Sequence, residues 1–126
     1  MPPLDQFAGH EYLNLESYRR SGAPVRTPVW FAGDGGVLYI YTLADAGKVK
    51  RIRREPRVRI VPCSFRGEPR GQWIDAEARV AEPAEAERGH RLLDRKYGWK
   101  KKVGNLWSGL LGRRRVVITL TPASNS

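Results

Sequence analysis

The chain has 126 residues, of which 40% are hydrophobic and 29% are charged, and these values are typical of one folded globular domain. Its formal net charge of +10 implies an anionic partner: a phosphorylated cofactor, a polycarboxylate, nucleic acid or an acidic membrane surface. Cys63 is the single cysteine, which excludes an internal disulfide and fits a reducing cytoplasm. Neither a signal peptide in residues 1–9 nor a membrane-spanning apolar run is predicted.

Most of the predicted elements are strands. In chain order they are a helical turn at residues 4–8, strands at 11–19, 25–31 and 37–42, a helix at 48–54, strands at 57–63 and 72–81, a helix at 83–97 and a strand at 116–121. Turns are predicted at residues 21–24 and 33–36, because glycine tolerates positive φ. The helix at 48–54 ends before Pro56, since the residue before proline avoids the α region.

Hydrophobic periodicity supports the two longest of the later elements. Alternation in residues 72–81 places Ile74, Ala76, Ala78 and Val80 on one face of a strand. A helical stripe runs through Ala86, His90, Leu93 and Tyr97. Residues 98–112 contain glycine and are predicted to be irregular.

The predicted fold is mainly β: a single domain with its core in residues 11–121, built as a six-stranded antiparallel barrel with short helices. Closing a small sheet into a barrel removes its edges, which would otherwise be free to pair with other chains.

The third strand ends in Thr42 and leads into a helix that begins with Gly47 and Lys48. Backbone N–H groups at a helix N-terminus carry partial positive charge and favour an anion. Lys48 and Arg51 add full charges about one turn apart on that helix. The sequence therefore predicts a phosphate-binding segment at residues 42–51.

The order of these segments resembles the split β-barrel flavin and deazaflavin oxidoreductases, the superfamily related to pyridoxamine 5′-phosphate oxidase. The resemblance covers residues 11–121 and is strongest in residues 12–15 (YLNL), 26–31 (RTPVWF), 42–51 (TLADAGKVKR) and 56–58 (PRV). The branch thought to use coenzyme F-420 is the most similar, and Pro62-Cys63, Arg66-Gly67 and residues 96–99 (KYGW) also suit it.

This resemblance implies a split, FMN-binding type of barrel and a homodimer with a cofactor in each cleft between the subunits. The implied phosphate-binding residues are Thr42, Gly47, Lys48, Val49, Lys50 and Arg51. The implied ring-binding residues are Arg26, Thr27, Pro28, Val29 and Trp30. Because the chain lacks the C-terminal extension of the true pyridoxamine phosphate oxidases, pyridoxine oxidation is not expected.

Several of these residues also have a purely structural interpretation. Residues 48–59 contain seven cations and one acid, Glu55, so they could form a solvated basic surface. Arg26 could be a half-exposed strand residue or could face an anion, and Trp30 could be a core or interface aromatic. Tyr41 and Thr42 alternate, and the Thr42 hydroxyl is the better phosphate donor.

No catalytic or metal-binding group is predicted elsewhere. Cys63 has no nearby partner for nucleophilic chemistry, His90 lies on an apolar stripe, and Glu16 belongs to no pair of carboxylates.

The aromatic and basic segment at residues 97–115 is interpreted as packing against the core or a second subunit. It could alternatively contact an anion, single-stranded nucleic acid or a membrane surface.

Four functions follow from these observations. The first is an F-420-dependent oxidoreductase that transfers hydride to or from a small organic substrate. The second is an FMN-binding reductase or electron-transfer protein of the same fold, and the third is a basic nucleic-acid-binding barrel without redox activity. The fourth is a cofactor carrier or storage protein.

Overall fold

The structure is a computed structural model that describes the backbone of residues 4–44, 46–103 and 115–123, and the side chains of residues 4–44, 46–97 and 116–123. In chain order the elements are a 3-10 helix at Asp5–Phe7, β1 at Tyr12–Tyr18, β2 at Pro24–Asp34, β3 at Val37–Leu43, α1 at Gly47–Arg54, β4 at Arg57–Cys63, β5 at Ile74–Val80, α2 at Pro83–Val103 and β6 at Arg115–Pro122.

The strands form a closed barrel with the order β1-β2-β3-β6-β5-β4. Every neighbouring pair is antiparallel, and the pairing of β1 with β4 closes the barrel. The predicted mainly β, six-stranded antiparallel barrel is therefore confirmed.

Two predicted boundaries are wrong by three residues or more, and the other differences are of one or two residues. β2 continues to Asp34, so the turn shrinks to Gly35 and Gly36, whose φ values of +60° and +82° fit a two-residue hairpin loop. Helix α2 continues to Val103 instead of ending at Tyr97. One interior glycine, Gly98, costs a helix only about 1 kcal/mol, and the lysines that follow it are good helix formers.

The barrel is split beside β2. Residues 24–30 of β2 pair with β1, whereas residues 31–34 pair with β3. The last residues of β3, Tyr41–Leu43, pair with β6. Among the described residues, the first half of β2 and the end of β3 thus have one strand neighbour each, which leaves an opening between them.

Inward-facing side chains fill the barrel, and they share strand alternation. Leu13, Leu15, Ile40, Ile60, Ile118 and Leu120 are all at most 1% exposed. Helix α1 lies at one end of the barrel, where Val49 and Ile52 pack into the same core. The charged side of α1 therefore has a fixed position relative to the split.

Helix α2 covers the outer face of β3 and β6. Leu93 and Tyr97 form a second core there with Tyr39 and Val117. A side chain at Gly89 would lie 2.7 Å from a methyl group of Val117, so glycine is what permits this close packing.

Candidate functional site

One end of the barrel brings together the C-terminal ends of β1 and β3 and the start of α1. Thr42 follows Leu38 and Ile40 on the inner face of β3 and is 8% exposed. Ser17 follows Leu15 on the inner face of β1 and is 1% exposed. Two hydroxyl groups therefore lie on the inner face of the barrel at the end that α1 covers.

Helix α1 begins at this end without a side-chain cap, because its N-cap residue is Ala46. Gly47, the first helical residue, is exposed. A Cβ atom on it would lie 2.9 Å from a terminal nitrogen of Arg51, so the Arg51 guanidinium lies against the first turn. The Arg51 Nε also donates a 2.8 Å hydrogen bond to the Ser17 hydroxyl.

Four cations lie at this end of the barrel, Arg19, Lys48, Arg51 and Arg54, and we call them the cation corner. Lys48 and Arg51 are partly buried within it. Burial, together with the nearby charge of Arg51, lowers the pKa of Lys48. Burial, together with the charges of Arg19 and Arg54, lowers the pKa of Arg51. In the part of the chain that the structure describes, Arg19, Lys48, Arg51 and Arg54 form no salt bridge with a carboxylate. Binding of an anion would reduce the repulsion within such a cluster.

The structure separates the residues of the predicted phosphate segment. Thr42, Gly47, Lys48 and Arg51 lie at the same end of the barrel. The Val49 side chain is 1% exposed and packs into the core, and its N–H group is 3.0 Å from the Ala46 carbonyl oxygen. Lys50 is exposed and lies about 200° from Lys48 around the helix axis.

The predicted ring-binding residues occupy the half of β2 that borders the split. Thr27 and Val29 are half-buried on the inner face, and Val29 packs against the barrel core. Arg26 and Pro28 are exposed on the outer face. Trp30, half-buried on that face, stacks on Tyr97 with 4.9 Å between ring centroids and 6° between planes. The strand thus offers a backbone edge to a ligand, while its side chains divide between two faces.

Arg26 belongs to an outer-face cluster around a buried carboxylate. Glu16 is 2% exposed, and its two oxygens accept hydrogen bonds from Arg26 Nε at 2.8 Å and from the Tyr18 hydroxyl at 2.6 Å. Arg59 lies 3.6 Å from the same carboxylate. The guanidinium groups of Arg26 and Arg59 are 4.9 Å and 5.3 Å from the centroid of the Trp73 ring.

Both ionisable groups at the centre of this cluster have shifted pKa values. Burial raises the pKa of Glu16, but the hydrogen bonds from Tyr18 and Arg26 and the charges of both arginines outweigh that effect and hold it below the usual value. Burial and the hydrogen bond to Glu16 raise the pKa of Tyr18 to about 12. Glu16 is therefore ionised at neutral pH and compensates the charge of Arg26.

Sequence reasoning missed Glu16 and Ser17 as parts of this region. The available signal was the pair of adjacent polar residues, a carboxylate at position 16 and a hydroxyl at position 17, within the strand predicted at residues 11–19. Alternation places these two polar side chains on opposite faces. A hydroxyl on the inner face of a small barrel indicates a polar partner there.

Other features lie away from this region. A groove of about 660 Å³ lies at the opposite end of the barrel, between the β2–β3 hairpin, the 3-10 helix and α2, and none of the predicted site residues lines it. Within the described residues, no helix is long and apolar enough to cross a membrane. The predicted packing of Trp99, Trp107 and the basic runs at 100–102 and 113–115 lies outside the described side chains.

Comparison with known proteins adds a family to this geometry. A family model described as pyridoxamine 5′-phosphate oxidase matches residues 4–124, which is nearly the whole chain. No curated protein matches the sequence.

Solved structures with the same fold have different described functions. A structure described as an F420 reductase has 19% identity and a TM-score of 0.60, and the match covers 96% of this chain and 93% of that one. An FAD-binding protein from Mesorhizobium loti has 15% identity and a TM-score of 0.62, with 94% and 82% covered. HutZ, a heme storage protein from Vibrio cholerae, has 16% identity and a TM-score of 0.65, with 93% and 84% covered. At these identities the likeness shows the fold.

Proposed function

The chain belongs to the pyridoxamine 5′-phosphate oxidase family, and from that premise we propose that it is an oxidoreductase that binds the deazaflavin coenzyme F-420. The fold is that of a family of flavin-type oxidoreductases, and one protein of the same fold is an F420 reductase. When bound, the deazaflavin supplies the hydride chemistry, and the chain supplies binding, orientation and electrostatics. The substrate class proposed is a small organic molecule.

The single observation that carries this proposal is the cation corner at the start of α1. Lys48 and Arg51 are desolvated, they repel each other, and neither has a salt bridge to a carboxylate among the described residues. A phosphate group there would accept hydrogen bonds from Lys48, Arg51 and the Thr42 hydroxyl, and it would lie near the positive end of α1. The donor set fits a phosphorylated cofactor.

The ring system of the cofactor is assigned to the split beside β2. Among the described residues, the edge of residues 24–30 that faces away from β1 pairs with no strand and borders that opening. This edge begins at the end of the barrel where α1 holds the cation corner. Ala23 accepts a backbone hydrogen bond from Arg19 across the β1–β2 pair, so Thr27 and Val29 direct their backbone groups toward β1, whereas Arg26 and Pro28 direct theirs toward the opening. The backbone groups of Arg26 and the Pro28 carbonyl are therefore candidate partners for the ring. Pro28 has no N–H group, which lowers the tendency of this edge to pair with another strand.

The choice of F-420 over FMN rests on charge. FMN carries one phosphate group, whereas F-420 carries a phosphate and a polyglutamate tail, which matches a net charge of +10 better. Titration of the purified protein with F-420 and, separately, with FMN, followed by fluorescence at physiological salt, tests this choice. Tight F-420 binding and weak FMN binding are expected, and the reverse order would contradict the proposal.

FMN is the second candidate, and the FAD-binding protein of the same fold favours it. The same site residues would then bind a flavin phosphate, and a yellow, fluorescent preparation would identify this case.

A carrier role without catalysis is the third candidate function, favoured by the heme storage protein. Reduction of bound F-420 or FMN by a candidate substrate separates an enzyme from a carrier. If the protein binds neither cofactor and instead binds single-stranded nucleic acid in a strongly salt-dependent manner, these three functions would be rejected in favour of nucleic-acid binding.

We also propose that the functional unit is a homodimer with the cofactor between subunits. Phe65 is 64% exposed and is the exposed large hydrophobic residue among those described. It follows β4 in a loop whose Gly67 carbonyl accepts a 2.9 Å hydrogen bond from Asn14 on the outer face of β1. Sedimentation is expected to show a dimer, with Phe65→Asp shifted toward monomer and unchanged in melting temperature. A wild-type monomer in the presence of cofactor would contradict the proposal.

A further inference from the structure

Two adjacent residues of β1 each hold one arginine, on opposite sides of the strand. Glu16 points outward and accepts a hydrogen bond from Arg26, and Ser17 points inward and accepts one from Arg51, both at 2.8 Å. Both side chains are buried, at 2% and 1% exposure. The two acceptors differ in one respect that matters for an anion: the first is a carboxylate and the second is neutral.

The charge of the acceptor determines how strongly each arginine can attract a further anion. Arg26 is compensated by Glu16, so its attraction for a second anion is reduced. Arg51 donates a hydrogen bond from its Nε group to Ser17, and among the described residues no carboxylate pairs with its guanidinium, so its full charge remains for an anion. One of its terminal nitrogens lies against Gly47, in the first turn of α1. Its neighbours Arg19 and Arg54 add positive potential at the same place.

We propose that Ser17 is a positioning residue that holds the Arg51 guanidinium at the start of α1 without neutralising it, and so sets the affinity of this corner for a phosphate group. This inference rests on the proposed function, because it takes the corner to be the phosphate-binding part of the site. A carboxylate at position 17 would hold Arg51 equally well and would remove the charge that a phosphate needs. A small apolar residue would keep the charge and lose the orientation.

The alternative is that Ser17 only satisfies a buried arginine at the end of the barrel. In that case its loss would lower stability and leave anion affinity unchanged, since Lys48 and the helix N-terminus would be unaffected. The two interpretations therefore differ in affinity and melting temperature, which can be measured separately.

Two substitutions test the proposal, with F-420, FMN and inorganic phosphate as probes in calorimetric titrations. Ser17→Ala is expected to weaken binding of the phosphorylated probes about tenfold, with the melting temperature nearly unchanged. Ser17→Asp is expected to weaken it at least about a hundredfold while melting no lower than Ser17→Ala, because the new carboxylate pairs with Arg51. Thr119→Val is the matched control: it removes a buried hydroxyl that lies 3.3 Å from the Arg79 carbonyl oxygen, and its affinity is expected to equal that of the wild type.

A positioning role also predicts coupling between Ser17 and Arg51. In the Arg51→Met background, Ser17→Ala is expected to have no further effect on affinity. In a nitrogen NMR spectrum, the slowly exchanging Nε–H signal of Arg51 is expected in the wild type and lost in Ser17→Ala. Unchanged affinity in Ser17→Ala, or retained affinity in Ser17→Asp, would overturn the proposal.

The same data separate this inference from the proposed function. Phosphate binding without F-420 or FMN binding would reject the proposed cofactors, and the Ser17 variants would still be judged by their affinity for phosphate. A wild-type protein that binds none of the three probes would overturn both.

Discussion

The Arg51 corner and the Arg26 cluster are two arginine-containing regions at either side of one strand, and they have opposite electrostatics. Around Arg26, a buried carboxylate, a tyrosine hydroxyl and an indole ring satisfy the cation. Around Arg51, a neutral hydroxyl is joined by further cations, and burial lowers the pKa of both Lys48 and Arg51. The first arrangement stabilises the fold. The second leaves repulsion between neighbouring cations, which a bound anion would reduce.

This contrast shows that the number of cations in a sequence does not identify a binding site. Arg26 and Arg51 are the same residue type, and both belong to segments with a family-like pattern. What distinguishes them is the acceptor that β1 supplies from the neighbouring position. An anion site forms where the fold places a cation without a neighbouring carboxylate.

Removing a cation from the corner is expected to have a large effect on anion affinity. Lys48→Met is expected to weaken F-420 or FMN binding about thirtyfold, or about 2 kcal/mol, because one charged donor is lost. The apo protein is expected to melt at the same or a higher temperature, because a desolvated, repelled charge is removed. Titration and thermal denaturation measure the two quantities.

The matched control for that experiment is Lys50→Met, which makes the same charge change two residues away on the exposed side of α1. Its affinity is expected to stay within about threefold of the wild type, the range of a screened surface charge. Equal losses in both variants would show that net charge, and not the corner, controls binding.

Removing the negative charge of Glu16 from the Arg26 cluster is expected to lower stability. Glu16→Gln is expected to lower the free energy of unfolding by about 2 kcal/mol at pH 7, since two charge-assisted hydrogen bonds are weakened in a buried position. The folded-state pKa of Glu16 lies below its usual value of 4.5, so its stabilisation is present above pH 4.5 and is lost as the pH falls through the folded value.

Denaturant unfolding at pH 7 and at pH 3 measures this effect. The gap between wild type and Glu16→Gln is expected to narrow in acid. A gap that is constant with pH would mean that Glu16 contributes through its shape and not through its charge.

A substitution remote from both regions tests whether stability and affinity are separable. Gly89→Ala is expected to lower the free energy of unfolding by about 1–3 kcal/mol, because the added methyl group overlaps Val117 and Tyr39. Cofactor affinity is expected to stay unchanged at a temperature well below the transition. A parallel loss of affinity would link the docking of α2 to the cation corner.

The smallest expected effect is at Arg59. Its side chain is 41% exposed and lies 3.6 Å from the Glu16 carboxylate, which is longer than the contact made by Arg26. Arg59→Gln is expected to lower the free energy of unfolding by about 0.5 kcal/mol in denaturant titrations. A loss as large as that of Glu16→Gln would show that Arg59, and not Arg26, is the main partner of the carboxylate.

Local patterns were sufficient to predict most of the barrel. The alternation of Ile74, Ala76, Ala78 and Val80 places these residues inward, as the structure confirms, because a strand has a fixed period of two. The end of α2 could not be predicted in this way, since a single glycine within a lysine-rich helix only weakens it.

The candidate site could be predicted only in part. Thr42 and the start of α1 follow from a local motif, and the structure brings Thr42, Gly47, Lys48 and Arg51 to the same end of the barrel. Local reasoning did not separate Lys48 from Lys50, or the buried Val49 from its neighbours, because the side of a short helix that packs inward depends on the barrel beneath it.

The sequence by itself determined the strand pattern, the excess of positive charge and the segment where an anion is favoured, because each depends on residues close together in the chain. The tertiary structure alone decided which arginine is compensated and which keeps its charge. Arg51 and Ser17 are 34 positions apart, and Arg26 meets Glu16 across a strand pair whose register is set by the closed barrel. Such pairings depend on how distant segments pack, and no local pattern contains that information.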